Sequence, residues 1–116
     1  MPDTLNIQDM RPSVHAALWD LREALRETYG DRLQRLIVFG SHARGDARAD
    51  SDVDVLIVLG GDVDPLDEAR RTSDIVIDVA VHHGVSLSLV HLSADEFAHQ
   101  DRPLLRNIDR EGIEMR

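Results

Sequence analysis

Apolar positions along the chain alternate between two periods. In "SVHAALWDLREALRETYG", Val14, Ala17, Leu18, Leu21, Ala24 and Leu25 recur at helical spacing, which predicts an amphipathic helix. Ser13 suits its N-cap, after a weakly patterned segment 1–12 that Pro12 closes, and Gly30 suits its stop. "RLIVFG" then reads as a short strand ending at Gly40, followed by a small, polar loop over 40–51. "DVDVLIVL" opens on Asp52, Val53 and Asp54 and continues apolar to Leu59, the pattern of a central strand buried on both faces. "GGDVDP" is a turn in which Asp64 caps and Pro65 starts a helix. Residues 65–83 fit two structures. "PLDEARRTSD" is helical in composition, whereas "IVIDVAVHHG" is β-branched enough to form a strand turning at "HHG". The helix, stopped at Gly84, is the preferred reading. "VSLSLVHL" (85–92) is a strand, "SADE" is a capping box on Ser93 and Glu96, and "RPLLRNIDREG" is a final helix ending at Gly112. These elements predict an α/β (α+β) fold, a small mixed sheet flanked by helices, in one domain over 1–116.

Composition narrows the functions. Hydrophobic residues make up 42% and charged residues 30%, an ordinary globular balance, and no apolar run reaches the ~20 residues needed to span a bilayer. The acidic N-terminus lacks the apolar stretch of an export signal, so the expected location is cytoplasmic. Cysteine is absent, which removes disulfides and thiolate-ligated zinc. The net charge of −9 argues against direct nucleic-acid binding, which depends on neutralising phosphates, and it suits a carboxylate site for cations.

The chemistry concentrates in "LIVFGSHARGDARADSDVDVLIVL". It opens like a phosphate loop, Gly40, four intervening residues, then Gly45, yet Asp46 and Ala47 stand where a Walker loop needs Lys and Ser or Thr. Asp52 and Asp54, two apart on a strand, share a face, and two carboxylates at a core edge resist ionisation unless cations neutralise them. Divalent metals held by paired carboxylates are the standard device for in-line phosphoryl or nucleotidyl displacement, and Mg2+ suits a site of carboxylates plus phosphate oxygens. Gly40 then lets the backbone approach a phosphate, Ser41 adds a hydroxyl donor, and Arg44, with Arg48 as a second candidate, supplies positive charge.

"GSHARGDARADSDVDVLIV" resembles the signature of the DNA polymerase beta-like nucleotidyltransferase superfamily: Gly-Ser, a short loop, then Asp-x-Asp. In length and element order the chain is similar to a minimal nucleotidyltransferase (MNT) domain. The resemblance implies transfer of a nucleoside monophosphate, AMP from ATP, with two Mg2+ ions. Gly40 and Ser41 would bind the triphosphate, and Asp52 and Asp54 would be the catalytic metal ligands. It also implies a HEPN-like protein partner in a toxin–antitoxin pair, with this chain as antitoxin adding the nucleotide to a partner hydroxyl. Self-association is compatible with the same reading. Active members of the superfamily carry a third carboxylate on a later strand. In "VSLSLVHL" the inward polar candidates are Ser86 and Ser88, and the substitutes are Asp78, if 75–81 is a strand, and His91. The rival reading is a catalytically degenerate antitoxin or binding module that acts by contact. The histidines make no zinc-binding spacing; His42 is a candidate phosphate contact, and Trp19 is expected at the edge of the core.

Overall fold

The computed structural model describes residues 10–99 and 102–115; the weakly patterned segment 1–9 lies outside them. The first helix, α1, spans Pro12–Tyr29. Pro12 opens this helix rather than closing the segment before it. It sits in the first turn behind Arg11 as N-cap, so Ser13 is helical and does not cap. Proline fits there because its missing N–H is one that the first turn leaves unused. Gly30 ends the helix at φ 54° as expected, and a 3₁₀ turn, Gly30–Arg32, leads into β1, Leu33–Phe39. The loop after β1 holds one short helical turn, α2, Ser41–Arg44, before β2, Val53–Leu59.

Residues 65–83 form one helix, α3, Pro65–His83. Asp64 caps it, accepting the N–H groups of Leu66 and Asp67 at 3.0 and 3.3 Å. The helix is required by what it connects: β2 pairs in parallel with β3, Leu87–Ser93, and a parallel pair needs a crossover rather than a hairpin. Ser93 and Glu96 then form the reciprocal capping box of α4, Ala94–His99: the Ser93 N–H donates to Glu96 Oε1 and the Glu96 N–H to Ser93 Oγ. α5, Pro103–Glu111, ends at Gly112, and β4, Ile113–Met115, completes the sheet.

The strands lie in the order β3-β2-β1-β4, with β1 antiparallel to both β2 and β4. β2 is central, and its alternate residues divide between two cores. Val53, Val55, Ile57 and Leu59 pack with Leu18, Leu21 and Leu25 of α1 and Val79 of α3. Leu56 and Val58 face the other way, toward Phe97 of α4 and Leu105 and Ile108 of α5. The period-two alternation thus puts the even-numbered residues of β2, Asp54 among them, on the α5 face. Trp19 lies at the surface rather than in the core edge: it is 38% exposed, donates through Nε1 to His15 Nε2 at 2.9 Å, and has the Arg22 guanidinium over its ring.

Candidate active site

Gly40 is held at φ 76° and ψ −153°, a region essentially reserved for glycine. A second constraint acts at the same residue: a Cβ placed there would strike the Asp54 carboxylate. The strand register explains the closeness, because Phe39 pairs with Asp54 across β1 and β2. The Gly40 carbonyl accepts the N–H groups of Ala43 and Arg44 at 3.1 and 3.0 Å, which turns the chain sharply into α2 and brings Ser41 beside the strand end.

Asp54 is half-buried at the start of β2, and Asp52 is exposed just before the strand. Burial raises the Asp54 carboxyl above its ordinary range, and the negative charge of Asp52 raises it further; His42, Arg44 and a hydrogen bond with Ser88 act in the opposite direction. Ser88 is the residue paired with Asp54 in the parallel β2–β3 register. It therefore stands beside Asp54 on the next strand, and it is a hydroxyl, not a carboxylate. Ser86 is exposed, and its carbonyl accepts the Val53 N–H at 2.8 Å.

Phe39, Gly40, Ser41, Arg44 and Asp54 form one side of a cleft of about 370 Å³, and Leu104, Asn107, Ile108 and Glu111 of α5 form the other. That volume lies within the range of about 300–1,000 Å³ typical of small-ligand sites. The structure thus brings together Gly40, Ser41, Arg44 and Asp54; Asp52 is absent from the cleft lining, and its charge acts on Asp54 from just before β2. Arg44 is half-exposed and in loose contact with Asp46 at 3.4 Å, so its charge is available to the cleft. Arg48 is exposed and absent from the cleft lining. A larger cleft, of about 610 Å³, lies by β4 among Arg22, Arg26 and Arg35 and contains none of the motif residues.

The substitutes for a third carboxylate lie elsewhere. Asp78 is exposed on α3, in a groove facing α1. His91 is buried beneath α3, with Nε2 3.2 Å from Thr72 Oγ1, and burial pushes its pKa down. His42 is buried with Nε2 3.2 Å from the Ser51 carbonyl, so it braces the loop. The α5 wall was not foreseen: its stripe reads in sequence as an ordinary amphipathic face. Among the described residues no three His, Asp or Glu side chains converge on one point. The donors present, two carboxylates and a hydroxyl, are all hard oxygens. This set fits a hard divalent cation that completes its shell with water and phosphate oxygens.

The nucleotidyltransferase domain family matches residues 19–109. A Methanocaldococcus jannaschii protein with the provisional name protein adenylyltransferase is 35% identical over 101 residues, covering 83% of this chain and 91% of that protein. A second protein of that organism, with the same provisional name, is 34% identical over 64 residues, 54% of this chain and 44% of its own length. The crystal structure of a provisionally named nucleotidyltransferase from Sulfolobus solfataricus shares the fold at a TM-score of 0.57 and 18% identity, covering 90% of this chain and 86% of that one. The Gly-Ser turn against Asp54, the flanked mixed sheet and these matches agree: the chain belongs to the nucleotidyltransferase domain family, as a minimal nucleotidyltransferase domain.

Proposed function

We propose that the chain transfers AMP from ATP to a hydroxyl of a partner protein. The observation that carries this is the convergence of Gly40, Ser41, Arg44 and Asp54 on one cleft. The names of the curated relatives support protein adenylylation as the activity. In this reading the triphosphate rests on the Gly40–Ser41 turn, with Arg44 neutralising part of its charge. Asp52 and Asp54 would hold Mg2+, which supplies charge neutralisation for the phosphates and polarises the reacting groups. The acceptor hydroxyl arrives from the open side, where Asp52 is exposed. Its oxygen bonds to the α-phosphorus, the bond from that phosphorus to the β-phosphate bridging oxygen breaks, and pyrophosphate leaves. The hydroxyl proton passes to solvent on that open side.

In the same reading the partner would be the HEPN-like toxin of a toxin–antitoxin pair, with this chain as its antitoxin. The second reading, a contact antitoxin without transfer, is favoured by one observation: Ser88 occupies the place beside Asp54 where a third carboxylate would draw the proton. Mass spectrometry of a co-encoded helical partner after incubation with this chain, ATP and Mg2+ separates the two. Adenylylation predicts one added AMP that disappears in the Asp52→Asn/Asp54→Asn variant. A stable complex without added mass refutes transfer and establishes neutralisation by contact.

A further inference from the structure

Leu104, Asn107, Ile108 and Glu111 stand at i, i+3, i+4 and i+7 on α5, one stripe of the helix, and all four line the cleft. Ile108 is there because the core needs it, being buried with Leu105 and Phe97. The other three have no such reason: Leu104 is 50% exposed, and Asn107 and Glu111 are exposed as well.

The stripe has a direction. A Cβ on Gly112 would strike the Ile37 side chain of β1 and the Ile108 carbonyl, and Ile113 pairs with Val38. These β1 residues lead directly into Phe39 and Gly40, so the Glu111 end of α5 is the end nearest the phosphate turn. Leu104 lies seven residues back, about 10 Å along the helix axis. A nucleotide has the same order: phosphates, then sugar, then base. A carboxylate next to phosphate would repel it, whereas one step further along it meets the sugar, where it accepts the hydrogens of two neighbouring hydroxyls. The contact of Glu111 with Arg110, 3.7 Å and solvent-exposed, holds it only weakly. Asn107 Oδ1 accepts from Arg110 Nη2 at 2.8 Å, which fixes the amide and leaves its N–H donors for acceptors on a base. Leu104 and Ile108 supply apolar surface for the base itself.

We propose that the α5 stripe is the nucleoside subsite and that Glu111 accepts the ribose hydroxyls, so the site selects ribonucleotides over 2′-deoxyribonucleotides. This rests on the nucleotide-transfer reading above, and binding measurements separate the two. Calorimetric titration of the full chain with Mg2+ and ATP, 2′-deoxy-ATP or inorganic tripolyphosphate is the test. A hydrogen bond to a charged acceptor predicts ATP binding about tenfold tighter than 2′-deoxy-ATP in the unaltered chain. Glu111→Ala brings the two within about twofold while leaving tripolyphosphate affinity unchanged, since only the sugar contact is lost. Leu104→Ala weakens both nucleotides equally and tripolyphosphate not at all. Glu111 is exposed at the helix end, so the variant folds, and its melting curve verifies this. A preference for ATP that survives Glu111→Ala, or no preference in a chain that binds ATP, overturns the subsite. A chain that binds neither ATP nor tripolyphosphate overturns the nucleotide reading and the subsite with it.

Discussion

Gly40 carries two constraints at once, a glycine-only backbone and the Asp54 carboxylate against its Cα. Gly40→Ala is expected to destabilise the fold by about 1–3 kcal/mol and to abolish Mg–ATP binding, as read by urea denaturation and titration. Asp54 behaves oppositely. Its charge is disfavoured by burial and by Asp52, so in metal-free buffer Asp54→Asn is expected to raise the melting temperature by a few degrees while eliminating transfer. Ser88→Asp adds a third negative charge beside Asp54; it is expected to lower metal-free stability and, where transfer occurs, to raise its rate in Mg2+. The Gly-Ser and Asp-x-Asp pairs were readable in the sequence because short spacing alone nearly fixes their geometry. That Ser88, and not Ser86, stands beside Asp54 was not readable, because the β2–β3 register is set by how α3 packs. Glu111 escaped notice for the same reason: nothing local states which cleft a helix will wall.

At the scale of elements, the ambiguity over 65–83 came from real chemistry. The second half of α3 is β-branched, and Ile77 and Val81 remain exposed, 57% and 75%. The Asp64 cap, Pro65 and the parallel crossover outweigh strand propensity there. β4 was missed because three residues, Ile113–Met115, are too short for a periodic signal. Beneath α3 lies a polar cluster. Tyr29 Oη donates to Glu68 Oε1 at 2.7 Å, Arg71 Nε donates to the same oxygen at 3.1 Å, and Thr72 meets His91. Burial lowers the His91 pKa, while the nearby Glu68 charge opposes it less strongly. Below the ordinary histidine value of 6.5 the unfolded chain therefore takes up a proton that the folded chain refuses, and stability falls as pH falls through that window. His91→Leu is expected to flatten the melting temperature between pH 6.5 and the lower folded value, as measured by calorimetry across pH. Glu68 acts at lower pH. Burial alone would raise it, but Tyr29 and Arg71 hold it below its ordinary 4.5, so its contribution is lost only as pH falls further.

For the whole molecule, charge sets the terms of binding. A net charge of −9 opposes an incoming triphosphate, and Arg44 is the sole cation lining the cleft among the described residues. ATP is therefore expected to raise the melting temperature only when Mg2+ is present, and EDTA to abolish the shift. The sheet edge is fastened by Arg35, which makes a bidentate pair with Glu114 at 2.7 and 3.0 Å and lies over the Phe97 ring at 5.0 Å. Because the pair is partly exposed, its contribution is modest. No helix among the described residues is long and apolar enough to cross a membrane.

The pairing of Ser88 with Asp54 reaches beyond this one chain. Position 88 sits on a strand whose backbone pairing is indifferent to which small polar side chain it bears. On the transfer reading, a carboxylate at this point would change the chemistry beside Asp54 while the strand pairing stayed as it is, so one skeleton would serve swift, sluggish and silent forms alike. The skeleton alone would not tell an observer which form is in hand; the side chain at this single position, read together with Asp52 and Asp54, would be the place to look.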